Sequence, residues 1–293
     1  MARLLLCAVL ISMIQGKPSR TAHRVALRRA VHQLFDHPKV FDDPVALKII
    51  GRDAEAKLQT ASGSGPKSMR YLRAFLVARS RFAEDHLAQA VARGVKQYVV
   101  LGAGLDTFAY RNPFETLRVF EVDYPATQEW KRGQLEAASI AIPATLTFAP
   151  VDFEKDTLAY GLRRAGFIAN EPAFFSWLGV TPYLAEETVL ATLRWIASSC
   201  SQNGVAFDYA VPRSSLSFFN RMVFDALAAR VARAGEPFIG FFDSKALALH
   251  LRGMGFTYIE DIGSEEINAR YFAHRSDGLR VRGGLGRLMC AQG

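Results

Sequence analysis

Three short segments of the chain end in residue types that can hold a small ligand at close range. An apolar run ends at Gly102 and Gly104, and a second run, about 20 residues further on, ends in the carboxylate of Asp123. A third segment ends in Asp152 and Phe153. Glycine lets a ligand approach the backbone, and one carboxylate can accept both hydroxyls of a ribose. The three segments together predict a site for an adenosine-containing cofactor.

Each segment also has a purely structural interpretation. The glycines can form a tight turn between a strand and a helix. Asp123 can cap a helix that starts with Pro125, and Asp152 can cap a helix that starts at Glu154. We also expect a helix directly after the glycine turn, whose free N–H groups would face the ligand.

The spacing of the glycines distinguishes between cofactors. A dinucleotide-binding turn has a third glycine three positions after the second, and Thr107 stands there in this chain. A pyrophosphate site for NAD or FAD is therefore disfavoured. A carboxylate that binds a free ribose diol suits S-adenosylmethionine as well as NAD.

Three motifs resemble the leucine carboxyl methyltransferase family, and within it the bacterial branch named as putative S-adenosylmethionine-dependent methyltransferases. The motifs are Leu-Gly-Ala-Gly-Leu-Asp-Thr-Phe-Ala-Tyr-Arg from Leu101, Phe-Glu-Val-Asp-Tyr-Pro from Phe120, and Trp-Leu-Gly-Val-Thr-Pro-Tyr-Leu from Trp177. The resemblance extends from Ser19 to the C-terminus. The Gly-Leu-Asp-Thr-x-x-x-Arg segment around Asp106 is its most specific part.

The resemblance implies a set of contacts to S-adenosylmethionine. The glycines would line the methionine and ribose portion, the acid after the second strand would hold the ribose, and the next acid and its phenylalanine would hold the adenine. Arg79 would bind the cofactor's carboxylate, for which a bidentate guanidinium is well suited. The cofactor-binding residues predicted in this way are Arg79, Gly102, Gly104, Asp106, Asp123, Asp152 and Phe153.

Some positions are less certain matches to the family. Arg79 and, more so, Arg81 can also be surface arginines on a helix, and His23 matches a basic cofactor contact only loosely. Some relatives have a glutamate where this chain has Leu178, which puts that cofactor contact in doubt. Ser176 or a backbone group can substitute for it.

The pattern of apolar runs predicts a doubly wound α/β fold, with a mostly parallel, seven-stranded sheet and an N-terminal helical cap. The family resemblance implies that this is a Rossmann-like methyltransferase sheet. The predicted strands are Gln97–Leu101, Arg118–Asp123, Thr145–Val151, Ala173–Leu178, Gly204–Val211, Phe256–Ile262 and Leu285–Cys290. The predicted helices are Thr21–Leu34, Tyr71–Arg93, Ala126–Ala138, Glu154–Ala165, Ala185–Ser199, Leu216–Ala234 and Ser244–Met254, and Asp42-Asp43-Pro44 signals a further helix start.

The chain divides into an apolar leader (1–16), the cap (17–66) and a cofactor-binding domain (67–293) with an insertion at about 212–243. The loop Ser62–Pro66 separates the last two. We expect the acceptor pocket above the carboxyl ends of the strands, with the cap and the insertion as walls. The insertion's aromatic side chains line that pocket or, as we prefer, form ordinary core. They are Phe218, Phe219, Phe224, Phe238, Phe241 and Phe242, and Tyr183 is a plausible polar group of the pocket.

Composition limits the functional class. The formal net charge is +8, and we interpret the arginines near the start (Arg20, Arg24, Arg28 and Arg29) as the solvated face of a helix rather than an anion site. The three cysteines, Cys7, Cys200 and Cys290, indicate neither disulfides nor a metal site and suit a reducing compartment. The run Leu4–Ile14 is too short to span a bilayer. We therefore expect a cytoplasmic protein without nucleic acid, metal or stable membrane insertion. The minor alternative is export or membrane association through residues 1–16.

The leading hypothesis is an O-methyltransferase that acts on a carboxylate or an acidic hydroxyl of a small molecule or peptide. The six histidines form no persuasive catalytic triad, and an ionised carboxylate needs no general base. A nicotinamide-dependent oxidoreductase and a non-catalytic cofactor-binding protein are the alternatives. The catalytic residues, the acceptor and the oligomeric state are not indicated by the sequence.

Overall fold

The computed structural model describes residues 20–60, 67–153, 155–200, 202–233 and 237–293. The predicted leader and the loop Ser62–Pro66 lie outside these ranges, so both stay predictions. Among the described helices, none combines the length and the apolar character that crossing a membrane requires.

The centre of the fold is a seven-stranded sheet in the order β3-β2-β1-β4-β5-β7-β6. The first five strands are parallel, and β7 is antiparallel to both of its neighbours. This confirms the predicted α/β fold, and every predicted strand exists with ends shifted by at most two residues. The strands are Gln97–Leu101 (β1), Arg118–Asp123 (β2), Leu146–Pro150 (β3), Ala173–Trp177 (β4), Asn203–Ala210 (β5), Tyr258–Ile262 (β6) and Gly286–Gln292 (β7).

Helices cover both faces of the sheet, because alternate residues of each strand point to opposite sides. Tyr98 and Val100 of β1 join the core under the long helix α4, and Val99 and Leu101 join the core under α7 and α9. The helices are Arg20–Phe35 (α1), Val45–Ile49 (α2), Arg52–Gln59 (α3), Lys67–Ala92 (α4), Pro125–Ala137 (α5), Leu158–Arg164 (α6), Glu186–Ser199 (α7), Phe218–Arg233 (α8), Ser244–Gly253 (α9) and Ser264–Tyr271 (α10).

The structure corrects several helix predictions. No α-helix follows the glycine turn, and the connection from β1 to β2 contains only the short 3-10 turn Phe108–Tyr110. The helix expected from Glu154 begins at Leu158, because the hydroxyl of Thr157 accepts a hydrogen bond from the N–H of Tyr160 and caps it. The sequence pattern also missed α3 and α10, which are only eight residues long.

The aromatic side chains of the insertion take different environments. Phe224 and Phe242 are buried in the core, and Phe238 and Phe241 pack against it. These four confirm the interpretation as core. Phe218 and Phe219, at the start of α8, are 80% and 72% exposed, so neither core nor pocket describes them.

A buried charge cluster attaches the N-terminal cap to α4. The carboxylate of Asp36, just after α1, accepts hydrogen bonds from Nε and Nη2 of Arg73 on α4 at 2.6 and 2.9 Å, and its Oδ2 lies 2.9 Å from Nδ1 of His32. Burial alone would raise the pKa of Asp36, but the hydrogen bonds from His32 and Arg73 outweigh burial and hold the pKa at about 2. The carboxylate of Asp36 therefore stays ionised in the folded protein at neutral pH.

We predict that Arg73→Met destabilises the protein by about 3–5 kcal/mol, because the buried carboxylate of Asp36 loses its cation. The matched control is Arg81→Met on the same helix. Arg81 is half exposed where it pairs with Asp85, so its loss should cost at most about 1 kcal/mol. Urea denaturation followed by circular dichroism measures both. Equal losses of stability in the two variants would contradict this role for the cluster.

Candidate functional site

A cavity of about 230 Å³ lies at the carboxyl ends of β1, β2 and β4. This is the point where the strand order reverses, since β2 and β4 flank β1 on opposite sides, and open α/β sheets bind ligands at such a point. Helices α1, α4 and α7 and the segments that follow β1 to β4 form its walls.

The glycine turn forms the floor of the cavity. Gly102 and Gly104 have φ angles of +65° and +46°, a conformation that favours glycine. A Cβ on Gly102 would lie 2.5 Å from Cγ2 of Val180, and one on Gly104 would lie 3.0 Å from Cβ of Ala22. At both glycines, the space where a Cβ would stand is occupied by protein atoms. Both residues nevertheless line the cavity, so a ligand can reach their backbone.

Asp123 lies in the wall beside this turn and is 8% exposed. Its Oδ2 accepts a hydrogen bond from the N–H of Gly104 at 2.6 Å, and its Oδ1 accepts one from the N–H of Tyr124 at 2.7 Å. Burial raises the pKa of Asp123, and these backbone donors oppose the rise. The side chain of Thr127 also hydrogen-bonds this carboxylate, so three of its four lone pairs are engaged and one remains for a ligand hydroxyl. The alternative of Asp123 as the helix cap is wrong, because Tyr124 occupies the N-cap of α5.

Arg79 of α4 also lines the cavity and is 7% exposed, so it is not a surface arginine. Its Nη1 donates to Oδ2 of Asp208 at 2.9 Å. Oδ1 of Asp208 accepts from the N–H of Gly179, and a Cβ on Gly179 would lie 2.7 Å from Nη2 of Arg79. Within the described chain, Nε and Nη2 of Arg79 donate no hydrogen bond, so one edge of the guanidinium is available to a ligand. Arg81 is exposed, as the alternative interpretation predicted.

Asp152 and Phe153, in the segment that follows β3, differ in their position relative to the cavity. Phe153 lines the cavity. Asp152 is not among the described lining residues, and its carboxylate lies 3.0 Å from Nζ of Lys155. The alternative of Asp152 as a helix cap is wrong because the cap of α6 is Thr157. The adenine contact of Asp152 stays a prediction.

Arg29 of α1 corrects the interpretation of the arginine cluster near the start. Arg24 is exposed, but Arg29 is 4% exposed and lines the cavity. It donates a hydrogen bond to the carbonyl oxygen of Leu105, and its Nη1 lies 3.8 Å from Oδ2 of Asp106. Asp106 lines the cavity as well, and its Oδ1 accepts from the N–H of Phe108 at 2.8 Å. One arginine of the cluster therefore belongs to the site.

Of the remaining candidates from the sequence, three line the cavity and one does not. Leu178, Ser176 and Tyr183 line the cavity, and Oγ of Ser176 accepts a hydrogen bond from the hydroxyl of Tyr98 at 2.8 Å. The Ser176 hydroxyl can still donate to a ligand where the family glutamate is absent. His23 is not among the described lining residues, and its Nε2 lies 3.3 Å from the carbonyl oxygen of Ile50.

The cavity offers few groups that can move a proton. All six histidines are in the described part of the chain, and none lines the cavity; nor does any described lysine, cysteine or glutamate. His32 and His86 are each engaged by a carboxylate elsewhere. Across the described ranges, no group of three histidine, cysteine, aspartate or glutamate side chains could hold a metal ion.

Sequence reasoning missed three residues that shape the site. Asp208 and Gly179 fix Arg79, and Asp43 is a fully buried carboxylate 3.6 Å from Nε of Arg29. A usable signal existed for Asp208, because a lone acid inside the apolar strand β5 must have a buried partner. For Asp43, the sequence predicts only a turn and a helix start at Asp42-Asp43-Pro44.

Comparison with known proteins finds a family model and named relatives that match this chain. The family model of leucine carboxyl methyltransferase matches residues 22–197. A Bacillus subtilis protein named "Putative S-adenosyl-L-methionine-dependent methyltransferase YktD" is 31% identical over 91% of this chain and 95% of its own length. A Saccharopolyspora erythraea protein with the same description but no gene name is 34% identical over 67% and 69%.

The chain belongs to the leucine carboxyl methyltransferase family. The family, the methyltransferase activity and the S-adenosylmethionine cofactor predicted from the sequence are thus confirmed at the level of the family. A solved structure described as a putative methyltransferase from Thermobifida fusca covers 96% of this chain and 97% of its own, with a TM-score of 0.56 at 14% identity. At that identity it supports the fold alone. The oxidoreductase alternative is not compatible with this membership.

We predict that Asp123→Ala weakens the binding of S-adenosylhomocysteine to this methyltransferase by about 2–4 kcal/mol, because a buried charged acceptor is lost. Isothermal titration calorimetry measures the affinity. Asp42→Ala is the control, since the Asp42 side chain is 72% exposed and its ion pair in the described structure is with Lys39. An unchanged affinity in Asp123→Ala would remove Asp123 from the site.

Arg79→Met should weaken S-adenosylhomocysteine binding about tenfold or more, because a charge-assisted hydrogen bond to the ligand carboxylate is lost. The variant also leaves Asp208 without its cation, so stability falls too. 5′-Methylthioadenosine separates the two effects, because it lacks the amino-acid carboxylate. Calorimetry should show its affinity nearly unchanged; an equal loss for both ligands would mean that Arg79 only supports the fold.

Proposed function

We propose that this methyltransferase uses S-adenosylmethionine to methylate an oxygen atom, either of a carboxylate or of an acidic hydroxyl, on a small molecule or peptide. The single observation that carries the proposal is the composition of the cavity wall. Its described lining contains no histidine, lysine, cysteine or glutamate that could take a proton from the acceptor. An acceptor that is already ionised needs no such group.

The residues present fit the cofactor at each of its parts. Asp123 keeps one lone pair for a ribose hydroxyl, and Arg79 has a free guanidinium edge for the carboxylate. Phe153 can pack on the adenine, and Asp152, one residue earlier, is proposed for its amino group. When bound, the cofactor supplies a methyl group on a positively charged sulfur. The family and the wall composition support this assignment together.

The two aspartates of the wall are engaged by other groups of the protein, so we assign neither of them as a general base. Both oxygens of Asp123 accept backbone hydrogen bonds, and Asp106 accepts one from the N–H of Phe108 while facing Arg29. The protein's contribution is therefore alignment of the acceptor and exclusion of water. Apolar side chains such as Val25, Leu178 and Val180 supply most of the surface that excludes water.

The dependence of rate on pH tests the acceptor class. With labelled S-adenosylmethionine and a metabolite and peptide extract, mass spectrometry first identifies the methylated product. For a carboxylate acceptor, kcat/KM should then show no acceptor titration between about pH 6 and pH 9, because the carboxylate is ionised throughout. For a phenolic acceptor it should rise about tenfold per pH unit below the acceptor's pKa.

Two results would contradict the proposal. Product methylated on nitrogen or carbon would overturn the oxygen acceptor. Tight S-adenosylhomocysteine binding with no methylated product in any extract would favour the non-catalytic alternative, which is based on the presence of Leu178 in place of a glutamate.

We also propose that the protein is cytoplasmic, since Cys200 and Cys290 are buried free thiols.

A further inference from the structure

A second pocket, of about 640 Å³, shares no lining residue with the first cavity and touches α4 at Arg70 and Tyr71 rather than at Arg79 and Ser80. It is lined by the start of α4, the end of α10 and the segment that leads to β7. Four arginines contribute to it: Arg70, Arg275, Arg280 and Arg282. We refer to it as the arginine pocket.

The charges of the arginine pocket are not balanced by the residues that the structure describes. Its one acidic lining residue, Asp277, receives both Nε and Nη2 of Arg275 at 2.9 and 2.7 Å. Neither Arg70, Arg280 nor Arg282 pairs with a carboxylate of the described chain. Three guanidinium groups that share one concave surface without a counter-charge repel each other, and a bound anion relieves that repulsion.

Two of these arginines are held in place by short, well-defined contacts. Arg70 donates from Nη2 to the backbone oxygen of Asp277 at 2.8 Å, and its buried Nε has no partner among the described residues. The guanidinium of Arg282 lies 4.6 Å from the ring centre of Tyr71, which is a cation–π geometry. Both cations therefore have reduced side-chain freedom before any ligand arrives.

The segment that carries the exposed arginines is itself anchored. Leu279 and Val281 are buried, at 1% and 5% exposure, so that Arg280 and Arg282 alternate outward. Asn268 of α10 accepts from the N–H of Val281 at 2.8 Å and donates to its carbonyl oxygen at 3.0 Å. The pocket is therefore preorganised rather than a chance gathering of mobile side chains.

We propose that the arginine pocket binds a phosphate-bearing anion with more than one negative charge. The planar guanidinium fork matches phosphate oxygens, and a single carboxylate would neutralise only one of the three unbalanced cations. The ligand is either a soluble phosphorylated molecule or the phosphorylated headgroup of a lipid. This site is distinct from the methyl-transfer cavity.

Inorganic pyrophosphate is the probe for the shared chemistry, titrated by calorimetry into the full-length protein at about 150 mM salt, where diffuse electrostatics is screened. We expect saturable binding that Arg280→Gln weakens about tenfold, as for a lost charge-assisted contact. Arg252→Gln is the matched control, because Arg252 is an exposed arginine on α9 outside the pocket. S-adenosylhomocysteine affinity should be the same in all three proteins, which shows that they are folded.

Vesicles with and without a phosphorylated inositol lipid distinguish the two sources. A lipid headgroup is identified if the protein is retained on the phosphorylated vesicles, if pyrophosphate displaces it from them, and if Arg280→Gln abolishes the retention. Pyrophosphate binding without vesicle retention would identify a soluble ligand. Absence of saturable pyrophosphate binding, or equal weakening in Arg252→Gln, would overturn the proposal.

Discussion

The loop between β1 and β2 must be held by side chains, because only a 3-10 turn follows the glycines where an α-helix would otherwise fix it. Asp43, fully buried in the cap, is the residue on which this depends. Its Oδ2 accepts a hydrogen bond from the hydroxyl of Thr107 at 2.7 Å, and its carboxylate lies 3.6 Å from Nε of both Arg29 and Arg111. Arg111 in turn donates to both oxygens of Glu84 on α4. One buried carboxylate thus connects the cap, the cofactor loop and α4.

This arrangement explains the most specific motif of the family resemblance in structural terms. In Gly-Leu-Asp-Thr-x-x-x-Arg, Thr107 and Arg111 reach Asp43, and Asp106 faces Arg29. Such buried charges cost desolvation energy and add little net stability compared with apolar packing. Their value is geometric, since they fix the cap over the glycine turn and so define the roof and the floor of one cavity.

The sequence was sufficient where a local pattern determines the structure. Apolar runs with abrupt ends predict all seven strands, and Asp123 at the end of β2 lies in the cavity wall, while its contact with the cofactor stays a prediction. The sequence pattern is not sufficient where contacts with residues distant in the chain determine whether a side chain is buried. The spacing in α1 cannot distinguish Arg24, which faces solvent, from Arg29, whose partners lie beyond α1 at Asp43, Leu105 and Asp106. The missing helix after Gly104 is replaced by tertiary contacts that no local signal reports.

The two pockets differ in a way that follows from the charge of what each would bind. In the cavity, Arg79 is matched by Asp208, and Arg29 by Asp43 and Asp106. A sulfonium cation enters such a site without facing unbalanced positive charge, while one free guanidinium edge can still bind a carboxylate. In the arginine pocket, Arg280 and Arg282 lack such partners among the described residues. The formal net charge of the chain is +8, so its acids cannot neutralise every arginine. In the described structure, aspartates pair with the arginines of the cavity but not with Arg280 or Arg282. Under the two proposals above, it is the distribution of the acids, rather than of the arginines, that distinguishes a site for a cation from a site for an anion.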